Sequence, residues 1–138
     1  MFVHHARIYL HHTDAAGRLF FANQFYLVHE AKEHFLESLG FDMKTLLEHP
    51  AATFPLVHAE ADFKAQLKTG DQIDISVGVE KIGETSVVFV FTIFKGGFLA
   101  GTARTVNVAV DKMSDKKMPI PNEWRERFSK GLIIEIKK

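Results

Sequence analysis

One acidic side chain, Asp14, stands three residues before Gly17 and nine before Asn23, with the aromatic pair Phe20-Phe21 between them. A long amphipathic segment follows directly. Helix N-termini carry unpaired backbone N–H groups and a partial positive charge. A carboxylate facing such an end across a small gap can attack a carbonyl, or direct water onto it, while the N–H groups polarise its oxygen. That is a kit for hydrolysing an acyl compound without Ser, Cys or metal.

The elements that must position these groups follow from periodicity. Residues 2–10 alternate in polarity as a strand does. From Asn23 to Leu39, the apolar residues Phe25, Val28, Ala31, Phe35 and Leu39 recur at helical spacing, with Glu30, Glu33 and Glu37 on other faces. Asn23 suits the N-cap and Gly40 the position just past the C-terminus. A short helical turn is expected over 43–48. Leu56–Leu67, Gln72–Lys81, Ser86–Phe94 and Phe98–Val110 read as four strands separated by Gly70-Asp71, Gly83-Glu84 and Lys95-Gly96-Gly97. Taken in order they describe an antiparallel meander. A short helix over 123–130 and a last edge strand or apolar tail around 133–136 complete the reading.

This order gives an α+β domain spanning residues 1–138, in which the long helix buries its stripe on the sheet. Strand 86–94 is apolar on both faces, so its second face needs a cover; a partner subunit, giving at least a homodimer, is the simplest one. The 138 residues carry no net charge, no Cys and thirteen Phe. That balance argues against broad capture of nucleic acid and excludes thiol catalysis, disulfides and thiolate metal sites. The first residues lack a signal-peptide pattern and no apolar run reaches membrane-spanning length, so a cytoplasmic protein is expected.

The wording Asp14-x-x-Gly17-x-x-Phe20-Phe21-Ala22-Asn23, with a strand before and a long helix after, resembles the 4-hydroxybenzoyl-CoA thioesterase family of the hotdog fold. Asp62-Phe63, Gly70-Asp71, the Val106-x-Val108-x-Val110-Asp111 run, Lys116-Lys117 and Ile120-Pro121 extend the resemblance along nearly the whole chain. The resemblance implies a long central helix packed on an antiparallel sheet, an acyl-CoA substrate, no cofactor, and assembly as a homodimer or homotetramer. It implies that Asp14 is the catalytic carboxylate, that the Phe21 backbone N–H polarises the thioester carbonyl, and that Gly17 allows close approach of the loop. Three departures stand out. His12 occupies a position often acidic, Arg18 one usually aliphatic, and Phe21 one that is His in several short-chain members. Phe20, Phe21 and Phe25 would line an aromatic acyl pocket. That leans towards a flat aromatic acyl group, and the wording Asp14-x-Ala16-Gly17-x-x-Phe20-Phe21-Ala22-Asn23 resembles that of the 1,4-dihydroxy-2-naphthoyl-CoA hydrolases of quinone synthesis. Short-chain acyl-CoA, a carrier-protein thioester, or binding without turnover remain as alternatives.

Other groups compete with bland roles. Asp before x-x-Gly is commonly just a turn residue. Glu30, nearest the helix start, is a reserve catalytic carboxylate, although helix-surface acids are usually solvated. His12 sits two residues from Asp14 and could orient it or simply end a strand. Arg104, Lys112, Lys116 and Lys117 are candidates for the CoA phosphates. Among eight His, the pairs His4-His5 and His11-His12 point their members to opposite faces. His4 and His12 would lie roughly 26 Å apart on a continuous strand. No metal site is expected. The His-Phe-Pro loop of hotdog dehydratases is absent.

Overall fold

A computed structural model describes residues 1–133. The elements run β1 (Phe2–Arg7), a 3-10 turn (Leu10–His12), α1 (Asn23–Ser38), α2 (Met43–Leu47), β2 (Ala52–Thr53), β3 (Leu56–Phe63), β4 (Gln72–Ile82), β5 (Ser86–Lys95), β6 (Phe98–Val108), β7 (Val110–Asp111) and α3 (Asn122–Ser129). Five strands form one antiparallel sheet in the order β1-β4-β5-β6-β3. β2 and β7 make a separate two-stranded ribbon.

The sheet is not the four-strand meander that the order of strands in the sequence suggests. Only β4, β5 and β6 follow one another in space, whereas β3 pairs with β6 and β1 with β4. The 64–71 connection explains it, because eight residues are long enough to cross the end of the sheet, while the β5–β6 joint is a two-residue Gly96-Gly97 loop. Both of those glycines have positive φ (54° and 85°), as a type I′ hairpin turn requires.

Helix α1 packs its buried stripe (Leu27, Val28, Ala31, Phe35 and Leu36) onto the sheet. On β4 and β5 the alternate residues Ile73, Ile75, Val77 and Val79, and Val87, Phe89, Phe91 and Ile93, face that core. α1 ends as anticipated. Gly40 adopts φ 93°, its N–H donates to Glu37 O, and the Phe41 N–H reaches back to Leu36 O. Its start differs. Ala22 is the capping position and Asn23 the first helical residue, because the Asn23 carboxamide donates to His12 O instead of capping the helix.

α3 closes one end of the core, with Phe128 against Phe41, Phe54 and Phe89. Beyond β1, the free edge of β4 is met by the residues after α3. Val79 N–H donates to Gly131 O and Ile133 N–H to Val79 O. Of the last edge strand or apolar tail anticipated around 133–136, residues 134–136 lie outside the described residues. β3 is the other edge of the sheet and is exposed along nearly its whole length. On the sheet face away from α1, Val90, Thr92 and Phe94 are half-buried.

Candidate active site

The chain leaves β1 and turns tightly. Thr13 Oγ donates to Leu10 O, and the Tyr9 N–H to His12 Nδ1 at 2.9 Å. The next turn is built on Asp14, whose carbonyl accepts the Gly17 N–H at 3.0 Å. Its Oδ1 accepts the N–H groups of Ala16 (2.9 Å) and Arg18 (3.2 Å), an arrangement in which the side chain holds its own loop. Oδ2 has no hydrogen-bond partner among the described residues. One carboxylate oxygen is thus anchored and the other is presented to solvent. Gly17 has φ 75°, a conformation that costs a residue with a side chain, and this lets the chain double back at once.

The returning strand is pinned to the 64–71 connection. Leu19 N–H donates to Leu67 O, Thr69 N–H to Gly17 O, and Arg18 bridges to Lys68. His12 O accepts both the Phe20 N–H and the Asn23 carboxamide, fastening the loop to the helix start. The first donor of the helical ladder is the Asn23 N–H, on Phe20 O. The N–H groups of Phe21 and Ala22, just before it, have no acceptor among the described residues.

Asp14 and Phe21 line one pocket of about 420 Å³, together with Arg18, Gln24, Phe63 and Lys64. Asp14 and Phe21, whose N–H has no acceptor among the described residues, therefore share one cavity. That is what an acyl carbonyl and its attacker require. Gln24 is 1 % exposed and donates through Nε2 to Asp62 O and Thr102 O, joining the helix start to β3 and β6.

The model of the "Thioesterase-like superfamily" matches residues 8–128. The chain belongs to this superfamily. A 1,4-dihydroxy-2-naphthoyl-CoA hydrolase of Nostoc punctiforme is 32% identical over 128 residues, covering 91% of this chain and 86% of that one. The corresponding hydrolase of Microcystis aeruginosa is 31% identical, covering 86% of each. Among solved structures, a 1,4-dihydroxy-2-naphthoyl-CoA thioesterase from Synechocystis superposes with a TM-score of 0.87 at 26% identity, over 93% of this chain and 95% of that one. A gentisyl-coenzyme A thioesterase gives 0.81 at 30% identity, over 91% and 98%. The architecture is thus the hotdog fold of the thioesterase-like superfamily, α+β with its central helix on an antiparallel sheet.

Within this thioesterase-like chain the expected site residues fall into three groups. Asp14, Gly17, Arg18 and Phe21 are brought together. Phe20 packs against Phe21 with the rings tilted and their centroids 4.8 Å apart, and both rings are exposed. His12, by contrast, lines a different pocket with Asn23, Tyr26 and Glu30. Its contribution near Asp14 is its carbonyl, while burial and the neighbouring His11 lower its pKa from the ordinary histidine value. Phe25 turns into a third pocket, between α1 and β3.

The distal cations are not brought to Asp14 within the chain. Arg104 pairs with Glu80 and Glu60. Lys116 and Lys117 follow β6 and β7, at the end of the sheet opposite Gly101, which sits beside Phe63. Arg18 and Lys64 are the cations that line the Asp14 pocket. Lys64 and Gln24 were missed by sequence reasoning, since a lysine before a turn and a glutamine in a helix carry no signal until β3 is placed beside α1.

One further constellation was not legible. His4 on β1 comes together with Glu30 and His34 of α1, with their ligating atoms within 4.8 Å of one another. Glu30 and His34 share a helix face at i, i+4, and the register of β1 beside α1 supplies the third group. The His4 and His34 rings stack at 4.3 Å. These are the described residues that could hold a divalent cation, and they do not include Asp14.

Proposed function

We propose that this chain is an acyl-CoA thioesterase acting on an aromatic acyl group such as 1,4-dihydroxy-2-naphthoyl, with Asp14 as the essential carboxylate. The observation that supports the reading is that Asp14 and Phe21 line one pocket, with Asp14 Oδ2 and the Phe21 N–H both without a partner among the described residues. The thioester carbonyl oxygen lies toward the Phe21 N–H, which stabilises the negative charge that develops on it. Asp14 either attacks the carbonyl carbon, giving a mixed anhydride that water then opens, or takes the proton from an attacking water. In both routes the CoA thiolate leaves without prior protonation, so a single carboxylate is enough.

Phe20, Phe21 and Phe63 offer apolar aromatic surface beside the carboxylate and favour a flat acyl group over a short polar one. Arg18 and Lys64, with Lys68 nearby, are the cations placed to meet the phosphates of CoA; Arg104, Lys116 and Lys117 can serve only if a second subunit brings them there. The unpaired β3 edge and the half-buried outer sheet face support a homodimer or homotetramer, and the relatives' hydrolase names support a place in menaquinone or phylloquinone synthesis. No helix among the described residues is long and apolar enough to cross a membrane, and we assign the enzyme to the cytoplasm. Asp14→Asn tests the reading. It should lower thiol release from 2-naphthoyl-CoA by 10²-fold or more, by analogy with other catalytic acids and bases, without changing the melting temperature. An unimpaired Asn variant overturns it.

A further inference from the structure

The third pocket, between α1 and β3, has about 340 Å³ of space and walls formed by Phe25, Val28, Leu56, Ala59 and Phe91. Its size is that of a small-molecule site. Two polar groups interrupt these walls, and both are unusual. Lys32 is 4 % exposed, although it belongs to the face of α1 that packs on the sheet. Thr105 is also 4 % exposed, and its hydroxyl is the one buried side-chain polar atom left without a partner among the described residues.

The lysine is held in place. Asn107 donates through Nδ2 to Phe54 O, which fixes its amide with Oδ1 turned toward Lys32 Nζ, and that oxygen accepts one ammonium N–H. The ammonium lies 4.4 Å from the Phe89 ring centroid. An ammonium has three donors and Asn107 takes one. Among the described residues no carboxylate lines the pocket; its other titratable side chains there are Tyr26 and His29, both on α1, with none from β3, β5 or β6. A buried cation with no counter-charge is costly, and an anion delivered by a ligand relieves that cost.

We propose that this pocket binds an apolar molecule ending in an anionic oxygen, a carboxylate or a phenolate, with the body against Phe25 and Phe91 and the oxygen received by Lys32 and Thr105. The site does not depend on the role assigned to Asp14. Its ligand has two possible sources, the distal end of an acyl group entering along the α1–β3 groove, or a free aromatic acid.

Calorimetric titration of the full chain with 2-naphthoate and with its neutral counterpart 2-naphthalenemethanol tests the assignment. At pH 7 the anion should bind at least tenfold more tightly than the alcohol, and Lys32→Met should erase that preference while still binding the alcohol. Thr105→Val should narrow it several-fold. On the native protein, raising the pH to 9.5 should also erase it, because burial lowers the Lys32 pKa to about 8 while naphthoate stays ionised. This arm needs no variant to fold. Equal binding of the two probes by the native protein at pH 7, or an unchanged preference in folded Lys32→Met, overturns the proposal. Loading Asp14→Asn with 6-carboxy-2-naphthoyl-CoA, whose acyl group ends in a carboxylate, separates the sources. Displacement of naphthoate identifies the acyl end, joint binding a separate acid, and either result supports the site.

Discussion

Gln24 occupies the space that a side chain at position 101 would need. A Cβ on Gly101 would meet Gln24 Nε2 at 2.9 Å, Oε1 at 3.0 Å and the Asp62 carbonyl oxygen at 3.1 Å. The backbone oxygen cannot swing away, and Gln24 is tied to Asp62 and Thr102. The start of α1, with its unpaired N–H groups, is therefore seated against β6 only because position 101 has no side chain.

Gly101→Ala should destabilise the protein by about 1–3 kcal/mol, the usual cost of overpacking a filled interior. It should also lower thioester hydrolysis, because the clash lifts the helix start that carries the Phe21 N–H. Urea unfolding and steady-state kinetics on the same preparation check both. Combining it with Gln24→Ala should recover part of the stability, and strict additivity of the two costs would show that the contact does not exist.

Gly17 poses a different constraint. A Cβ there would have open space, its nearest neighbour being Thr69 Oγ1 at 3.9 Å, so the φ of 75° is the whole difficulty. Gly17→Ala should cost about 1–2 kcal/mol, and Gly17→Asn less, since Asn tolerates the left-handed region. Activity should fall more than stability in both, because the same turn aims the Asp14 carboxylate. Thermal melts and kcat for the two variants decide the order, and equal losses in Ala and Asn would place the cost in sterics.

The Asp14-to-Asn23 segment was legible because local chemistry dictates it: an acid that closes its own turn, a glycine at positive φ, then a helix start. The helix and the strands were legible from their periods. Strand order was not, because β3 alternates no differently whether its neighbour is β4 or β6; only the crossing by 64–71 decides. The same gap hid Lys64, which follows β3 into that crossing, while Gln24 and the set His4, Glu30 and His34 were hidden because the packing of α1 against the strands is written in neither element alone. Lys32 was hidden differently, since a lysine in a helix gives no sign of burial until the helix is seated on the sheet.

Substrate choice should follow the aromatic surface at the pocket. With 2-naphthoyl-CoA, benzoyl-CoA, acetyl-CoA and dodecanoyl-CoA as a panel, kcat/KM should be greatest for naphthoyl. Phe63→Ala should reduce the naphthoyl value about tenfold or more while changing acetyl little, as removal of a half-exposed aromatic wall implies. Brisk acetyl-CoA hydrolysis with poor naphthoyl turnover would reverse the assignment of the acyl group, and tight binding of every substrate without turnover would make the chain a binding module.

Lys32 also makes a prediction about stability that needs no ligand. Burial lowers its pKa in the folded chain from 10.5 to about 8, and in the unfolded chain the group is solvated and titrates near 10.5. Below pH 8 both states hold the proton, and the folded state bears the cost of the buried charge. Between pH 8 and 10.5 the folded lysine is neutral while the unfolded one still binds a proton, so this group makes unfolding less favourable as pH rises. At about 1.4 kcal/mol per pH unit, the rise across that window is on the order of 3 kcal/mol. Lys32→Met should lack the rise and should be more stable than the native chain at pH 7, because an apolar side chain of similar length replaces an uncompensated cation. Urea unfolding of both proteins at pH 7, 8.5 and 10 checks it. Parallel pH profiles for the two would mean that Lys32 titrates alike in the folded and unfolded states.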